Sequence, residues 1–185
     1  MTLGTIKMTA GQFLQMGADP PGVRLELVDG EVMVSPSPEP QHSFIDRRLS
    51  KILSVYIDEH NLGALFGDVD TIFGEYDVRR PDLIYFSKSR LHLVGEKAME
   101  GPPDLCVEII SPSSGVIDRK QKFKQYEKGK VAQYWIVDPD SKTIEAYKLV
   151  SGKYRATGQG KNNEVVKLPP FPDLEIPLSQ LWWRR

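Results

Sequence analysis

Three charged side chains in the middle of the sequence point to a specific chemistry. Asp82 begins an apolar segment at 83–86, Glu108 lies in a second apolar segment at 105–110, and Lys122 follows in a lysine-rich stretch. Carboxylate oxygens are the ligands that Mg²⁺ prefers, and one or two of them commonly hold this ion in proteins. With a lysine nearby, the acid pair predicts metal-dependent attack of water on a phosphodiester.

Glu108 occupies an unfavourable place for a carboxylate. In an extended strand it shares a face with Cys106 and Ile110, and burying an unpaired ionised acid there costs several kcal/mol. A structural salt bridge is one solution, and a cation shared with Asp82 is another. We expect Mg²⁺, with Mn²⁺ as a substitute, held by Asp82, Glu108 and the backbone carbonyl of Ile109.

The helix that is predicted to start near Asp118 decides which lysine approaches the acids. Asp118, Lys122 and Tyr126 recur at intervals of four and therefore share one face of that helix. Lys120 and Lys124 form a second stripe, which we expect to reach solvent or backbone phosphate. The structural alternative for Lys122 is an ion pair with Asp118, and both interpretations can hold together.

Composition indicates a globular protein, with 40% hydrophobic and 26% charged residues in 185. A chain of this length predicts one domain over residues 1–185. The sequence contains no apolar run long enough to cross a bilayer and no secretion signal, so we expect a cytoplasmic protein with no membrane partner. The single cysteine, Cys106, cannot form an internal disulfide and is predicted to be a buried core thiol.

The net charge of -1 gives the whole molecule no attraction for nucleic acid, so any such affinity must be local. One basic region precedes Asp82 and consists of Arg79 and Arg80. A second region comprises Arg119, Lys120, Lys122, Lys124, Lys128 and Lys130. These side chains form either solvated faces or a contact surface for a polyanion, and their proximity to the acids favours the second interpretation.

The elements predicted around these residues give an α/β fold with a mixed central sheet flanked by helices. Asp29-Gly30 predicts a type I′ turn in an N-terminal hairpin, and Ser151-Gly152 a second hairpin near the C-terminus. A helix is expected from about 42 to 60, and a meander of short strands from 64 to 86. Strands at 105–110 and 133–137, joined by a helix, predict a parallel crossover.

Several motifs resemble those of a known family. They are the hairpin residues 25–31, Arg80-Pro81-Asp82, the segment 103–113, Asp118-Arg119 with Lys122 and Tyr126, and the segment 134–139. On these motifs the chain resembles the Uma-two family, a group of bacterial restriction-endonuclease-like proteins within the PD-(D/E)xK nuclease superfamily. The resemblance implies a restriction-endonuclease-like core with a metal at Asp82 and Glu108.

The resemblance also assigns three further positions. The superfamily's lysine stands two residues after the second acid, where this chain has Ile110, and the resemblance maps that lysine onto Lys122 instead. Glu26 matches the family pattern and could extend the metal site, or it could be a solvent-facing hairpin residue. His42 could contact substrate or shuttle a proton, or it could be a helix cap or surface residue.

The leading hypothesis is therefore a metal-dependent endonuclease that hydrolyses DNA. Its expected catalytic residues are Asp82, Glu108, Lys122 and Glu26, and its expected substrate-binding residues are His42, Arg119, Lys120, Lys124 and Tyr126. The alternative is a catalytically inactive nuclease-fold module that binds nucleic acid or a protein partner, which Ile110 and the near-neutral charge favour. A homodimer is expected only by analogy with small nucleases that cut two strands.

Overall fold

The computed structural model describes residues 6–35, 38–111 and 115–183, apart from the side chains at 35 and 115–119. The helices are α1 (Ala10–Leu14), α2 (Pro40–Glu59) and α3 (Gly115–Lys128), and 3-10 turns lie at Lys88–Leu93 and Leu178–Gln180. The strands are β1 (Arg24–Val28), β2 (Glu31–Ser35), β3 (Gly63–Phe66), β4 (Thr71–Gly74), β5 (Asp77–Arg79), β6 (Leu83–Ser87), β7 (Leu105–Ile109), β8 (Gln133–Asp138), β9 (Thr143–Val150), β10 (Lys153–Lys161), β11 (Val165–Leu168) and β12 (Phe171–Pro177).

The central sheet has six strands in the order β10-β9-β8-β7-β6-β3. Strands β7 and β8 are parallel and α3 connects them, whereas the other neighbours in the sheet are antiparallel. The predicted mixed sheet and parallel crossover are thus confirmed. The start of helix α3 was predicted near Asp118, and the helix begins three residues earlier, at Gly115.

The two faces of this sheet are covered by different helices. Helix α2 lays its stripe of Ile45, Leu49, Leu53 and Ile57, all fully buried, over the face formed by Leu105, Val107 and Ile109 of β7 and their neighbours. Tyr126 of α3 packs on the opposite face, with Cys106 of β7 and Tyr134 of β8. Because successive strand residues point to opposite faces, Glu108 shares a face with Cys106, as predicted, and this face is the one that α3 covers.

A second sheet of four strands, in the order β2-β1-β5-β4, contains the N-terminal hairpin. Asp29 and Gly30 have φ of 49° and 82°, which is the geometry of the predicted type I′ turn. The predicted meander over 64–86 is wrong, because its strands divide between two sheets. Strands β4 and β5 pair with each other and join β1, whereas β3 and β6 pair in the central sheet.

The C-terminal part confirms the predicted β9–β10 hairpin and adds a two-stranded sheet of β11 and β12. Trp182 is buried, whereas Trp183 is 51% exposed and meets Phe44 edge to face. Cys106 is fully buried as predicted, and burial raises the pKa of its thiol well above the usual value. In the described part of the chain, no helix has both the length and the apolar character needed to span a membrane.

Candidate active site

Asp82 and Glu108 lie side by side at the end of the central sheet. The antiparallel register of β6 and β7 pairs Leu83 with Val107, so Asp82, which directly precedes β6, lies next to the end of β7 that carries Glu108 and Ile109. The Ile109 N–H donates to Asp82 Oδ2 over 2.7 Å, which holds the aspartate against the peptide that follows Glu108.

The hydrogen bonds to Asp82 converge on one oxygen. His42 Nε2 lies 3.0 Å from the same Oδ2 that accepts the Ile109 N–H. Among the residues that the structure describes, Oδ1 has no such partner. The Asp82 side chain is 8% exposed.

Glu108 is bound by two side chains of α3. Lys122 Nζ lies 2.8 Å from its Oε2, and the Tyr126 hydroxyl donates to its Oε1. Burial raises the pKa of Glu108 to about 7, and the charge of Asp82 also raises it, whereas Lys122 and Tyr126 lower it. The structure therefore brings together both acids and the lysine that were predicted from the sequence.

His42 is neither a helix cap nor a surface residue, because its side chain is only 11% exposed and faces Asp82. Burial lowers the pKa of its imidazole, but the hydrogen bond to Asp82 and the charges of Asp82, Asp46 and Glu108 outweigh burial and raise it above 6.5. Asp46 lies one turn further along α2, and burial together with the charge of Asp82 raises its pKa. The imidazole is thus placed to hold Asp82, and a role in substrate contact or proton transfer stays a prediction.

Glu26 is 2% exposed, so its alternative interpretation as a solvent-facing hairpin residue is wrong. Its Oε2 lies 2.6 Å from Arg79 Nη1, and its Oε1 accepts the backbone N–H of Arg80 over 3.0 Å. Arg79 also donates to Gln125 Oε1, from Nε over 3.0 Å and from Nη2. Glu26 is therefore buried beside the Asp82 corner, although its part in metal binding stays a prediction.

The expected polyanion surface is smaller than the sequence indicated. Arg79 is buried, Arg80 pairs with Asp19 and Asp70, and Lys128 pairs with Asp29 and Asp77, so internal partners occupy all three. Lys120, Lys124 and Lys130 are exposed, as expected for phosphate contacts. The side chain of Arg119 lies outside the described residues, and so does the predicted Asp118–Lys122 pair.

Tyr126 requires a correction. Its side chain is fully buried and its hydroxyl donates to Glu108, so it cannot touch substrate directly in this arrangement, as a substrate-binding residue would. The spacing of four that relates it to Lys122 explains this position, because both side chains leave the same face of α3. Tyr126 is placed to orient Glu108.

Sequence reasoning missed the parts that Asp46, Arg79 and Gln125 play around the site. Asp46 had a local signal, since it follows His42 by four residues on a predicted helix. For Arg79 the sequence indicates either a solvated side chain or a contact for a polyanion, and only the pairing of β1 with β5 reveals its buried partner Glu26. Gln125 had no local signal in the sequence. It lies between Lys124, which is exposed, and Tyr126, which is buried, so its position on the helix predicts neither an exposed nor a buried side chain.

The donor set fits a divalent cation with oxygen ligands. Two buried carboxylates meet at one place, one of them with an oxygen that no described residue binds, and the Ile109 backbone continues from Glu108. The residues that the structure describes contain no group of three or more His, Cys, Asp or Glu suited to a metal. Two carboxylates are enough for the Mg²⁺ sites that leave their other positions to water and phosphate.

Comparison with known proteins identifies a relative, a solved structure and a family model that match this chain. An uncharacterized protein of Synechocystis sp., sll1609, is 22% identical over 156 residues, which cover 83% of this chain and 88% of that protein. The crystal structure of "a putative nuclease belonging to DUF820" from Anabaena variabilis has the same fold, with a TM-score of 0.77 and 20% identity over 95% of this chain and 97% of that chain. The Uma2 family model, described as "Putative restriction endonuclease", matches residues 10–179. The chain therefore belongs to the Uma2 (Uma-two) family.

Proposed function

We propose that the protein is a metal-dependent endonuclease that hydrolyses phosphodiester bonds in DNA. The observation that carries the proposal is the meeting of Asp82, Glu108 and Lys122. Asp82 accepts the N–H of the residue after Glu108, and Lys122 Nζ lies 2.8 Å from Glu108. The family description and the nuclease-like fold support the same reaction class.

Asp82, Glu108 and the Ile109 carbonyl would hold Mg²⁺, for which Mn²⁺ can substitute. When bound, the ion supplies Lewis-acid chemistry that activates water and offsets charge on the phosphate. Lys122 holds a positive charge at the site, where it stabilises negative charge that develops on the phosphate. His42 and the Ile109 N–H fix the orientation of Asp82, and Tyr126 fixes that of Glu108.

The reaction is a simple hydrolysis. The water oxygen forms a new bond to phosphorus, and the bond from phosphorus to one ester oxygen breaks. A water proton ends on the departing hydroxyl, so the products are a phosphomonoester end and a hydroxyl end. The exposed Lys120 and Lys124, on the same helix as Lys122, would contact the phosphate backbone near the cut.

Cleavage assays with purified protein test this proposal. Supercoiled, linear duplex and single-stranded DNA are each incubated with Mg²⁺ or Mn²⁺ and, separately, with a chelator. We expect cleavage that requires the metal and is lost in Asp82→Asn and in Glu108→Gln, whereas the matched surface variants Asp140→Asn and Glu31→Gln cut normally. Cleavage that persists in both site variants would refute the proposal.

A second candidate is a nuclease-fold module that binds nucleic acid or a protein partner without cutting. The observation that favours it is the internal engagement of Glu108, whose two oxygens both have partners within the chain. Calorimetric titration with Mn²⁺, with and without DNA, separates the candidates. Metal binding that Asp82→Asn abolishes supports the enzyme, and absence of binding under both conditions supports the module.

A further inference from the structure

Glu26 and Arg79 form a buried ion pair beside the site, and the proposed reaction does not yet use it. The antiparallel register that pairs Leu27 with Val78 sets Glu26 opposite Arg79. Their side chains are 2% and 5% exposed. A buried ion pair is a weak source of net stability, because desolvation offsets most of the attraction. The contacts of the Glu26–Arg79 pair therefore indicate that it positions neighbouring groups.

Glu26 binds the backbone at the corner that carries Asp82. Its Oε1 accepts the Arg80 N–H over 3.0 Å, and the Arg80 side chain is held at the same time by Asp70, 2.6 Å from Nε. Pro81 follows, and its ring fixes its own φ and restricts the residue before it. Few torsions are free between the Arg80 nitrogen and Asp82, so a shift of Glu26 is transmitted to Asp82.

Arg79 connects this corner to α3. Its guanidinium donates to Glu26 on one side and to Gln125 Oε1 on the other. Gln125 lies between Lys122 and Tyr126, the two residues of α3 that bind Glu108. One chain of hydrogen bonds thus runs from the Asp82 corner to the helix that carries the partners of Glu108.

We propose that Glu26, Arg79 and Gln125 form a positioning network that fixes the Asp82 corner relative to the Lys122 face of α3. In this role Glu26 acts through the Arg80 backbone and is not a metal ligand. One of its oxygens accepts a backbone N–H, which cannot move aside as the Lys122 and Tyr126 side chains on Glu108 can, so turning toward a metal would leave that buried N–H without its acceptor. The consequence for catalysis rests on the proposed function, whereas the geometry does not.

Amide exchange at Ile109 tests the network without metal, DNA or activity. The Ile109 N–H donates to Asp82 Oδ2, so it reports directly on the position of the aspartate. We expect this amide to exchange about 10-fold faster, or more, in Glu26→Gln and in Gln125→Met. The amide of Val107, in the interior of the same strand, is the internal reference, because global destabilisation would accelerate both amides alike.

Two matched variants control the experiment. Glu31→Gln makes the same change on the exposed strand of the same hairpin and is expected to leave Ile109 unchanged. Gln125→Glu keeps an acceptor toward Arg79 and is expected to behave like the unaltered protein. If Glu26→Gln does not fold, Gln125→Met decides alone. An Ile109 amide that exchanges at the unaltered rate relative to Val107 in Gln125→Met overturns the network.

Mn²⁺ affinity separates a positioning role from ligation by Glu26. Among the described residues, no hydrogen bond joins Gln125 to either acid, yet the network predicts that Gln125→Met weakens Mn²⁺ binding about 10–100-fold, as loss of supporting contacts does at other metal sites. A loss confined to Glu26→Gln identifies Glu26 as a ligand and overturns the proposal. A protein that cuts no DNA but shows the Ile109 effect refutes the nuclease proposal alone.

Discussion

Lys122 Nζ lies 2.8 Å from Glu108 Oε2, although the lysine belongs to α3 and the acid to β7. In the PD-(D/E)xK pattern the lysine stands on the same strand as the second acid, at the position of Ile110 in this chain. The helix that follows β7 returns over the face on which Glu108 lies, and this return brings an ammonium group to the acid. In this chain an ammonium group thus reaches the second acid from the helix.

Replacing Lys122 by methionine is expected to lower the cleavage rate by about 10²-fold or more, since removing one preorganised charge stabiliser has effects of that size. Lys120→Met removes the same charge from the exposed side of the same helix and serves as the matched control. We expect this control to weaken DNA binding and to make it less dependent on salt, with little change in the maximal rate. Equal losses of maximal rate in both variants would contradict the role given to Lys122.

The approach of Lys122 from α3 also predicts that a lysine on the strand side can restore cleavage when Lys122 is lost. Ile110 follows Glu108 by two residues and therefore extends from the same face of the strand. In the Lys122→Met background, Ile110→Lys is expected to restore part of the cleavage, because its ammonium group starts on the side where Glu108 lies. Ile110→Met in that background controls for the change of side chain. Circular dichroism checks that each variant is folded, and a folded double variant without any recovery counts against the equivalence of the two positions.

Much of the fold could be predicted where the signal is local. Asp29-Gly30 fixes a turn through its own backbone preference, and the apolar runs at β7 and β8 are typical of covered central strands. The division of β3 to β6 between two sheets had no such signal, because short antiparallel strands choose partners through distant contacts. Strands β11 and β12 were missed because Pro169, Pro170 and Pro172 suppress the usual strand pattern.

The same distinction applies to the site. Asp82, Glu108 and Lys122 could be predicted because each is defined by its own segment, and Lys122 by a spacing of four from Tyr126. The partner of Glu26 could not be predicted in this way. Arg79 lies 53 residues away in sequence, and only the β1–β5 register sets the two opposite each other. Network contacts of this kind depend on strand order, which single-sequence patterns do not determine.

Cys106 is expected to be inert in the folded protein. Its side chain is fully buried between the central sheet and α3, so a reagent can reach the thiol only after the chain opens. Iodoacetamide labelling followed by mass spectrometry should show almost no modification under native conditions and complete modification in denaturant. Rapid native labelling would mean that the face of β7 toward α3 opens readily, in conflict with the packing around Tyr126.

Glu127 gives a prediction for stability and pH that is independent of the site. Its Oε2 lies 2.7 Å from Lys153 Nζ, and its Oε1 accepts the Tyr154 N–H over 2.8 Å. The hydrogen bond from Lys153 and then that from Tyr154 hold the pKa of Glu127 below its usual 4.5. Glu127→Gln is expected to lower the free energy of unfolding by about 0.5–1 kcal/mol at pH 7, since Lys153 is largely exposed.

The pH dependence of this effect follows from the direction of the pKa shift. Because folding lowers the pKa of Glu127, the stabilisation is fully present above the unfolded value near 4.5 and is lost as the pH falls through the lower folded value. Urea unfolding at pH 7 and again below pH 4.5 should therefore show a difference between the two proteins that shrinks with acid. Glu175→Gln, in the exposed pair with Lys167, is the matched control and should change stability little at either pH. A difference that stays constant or grows in acid would show that the charge of Glu127 does not stabilise the junction of α3 with β10.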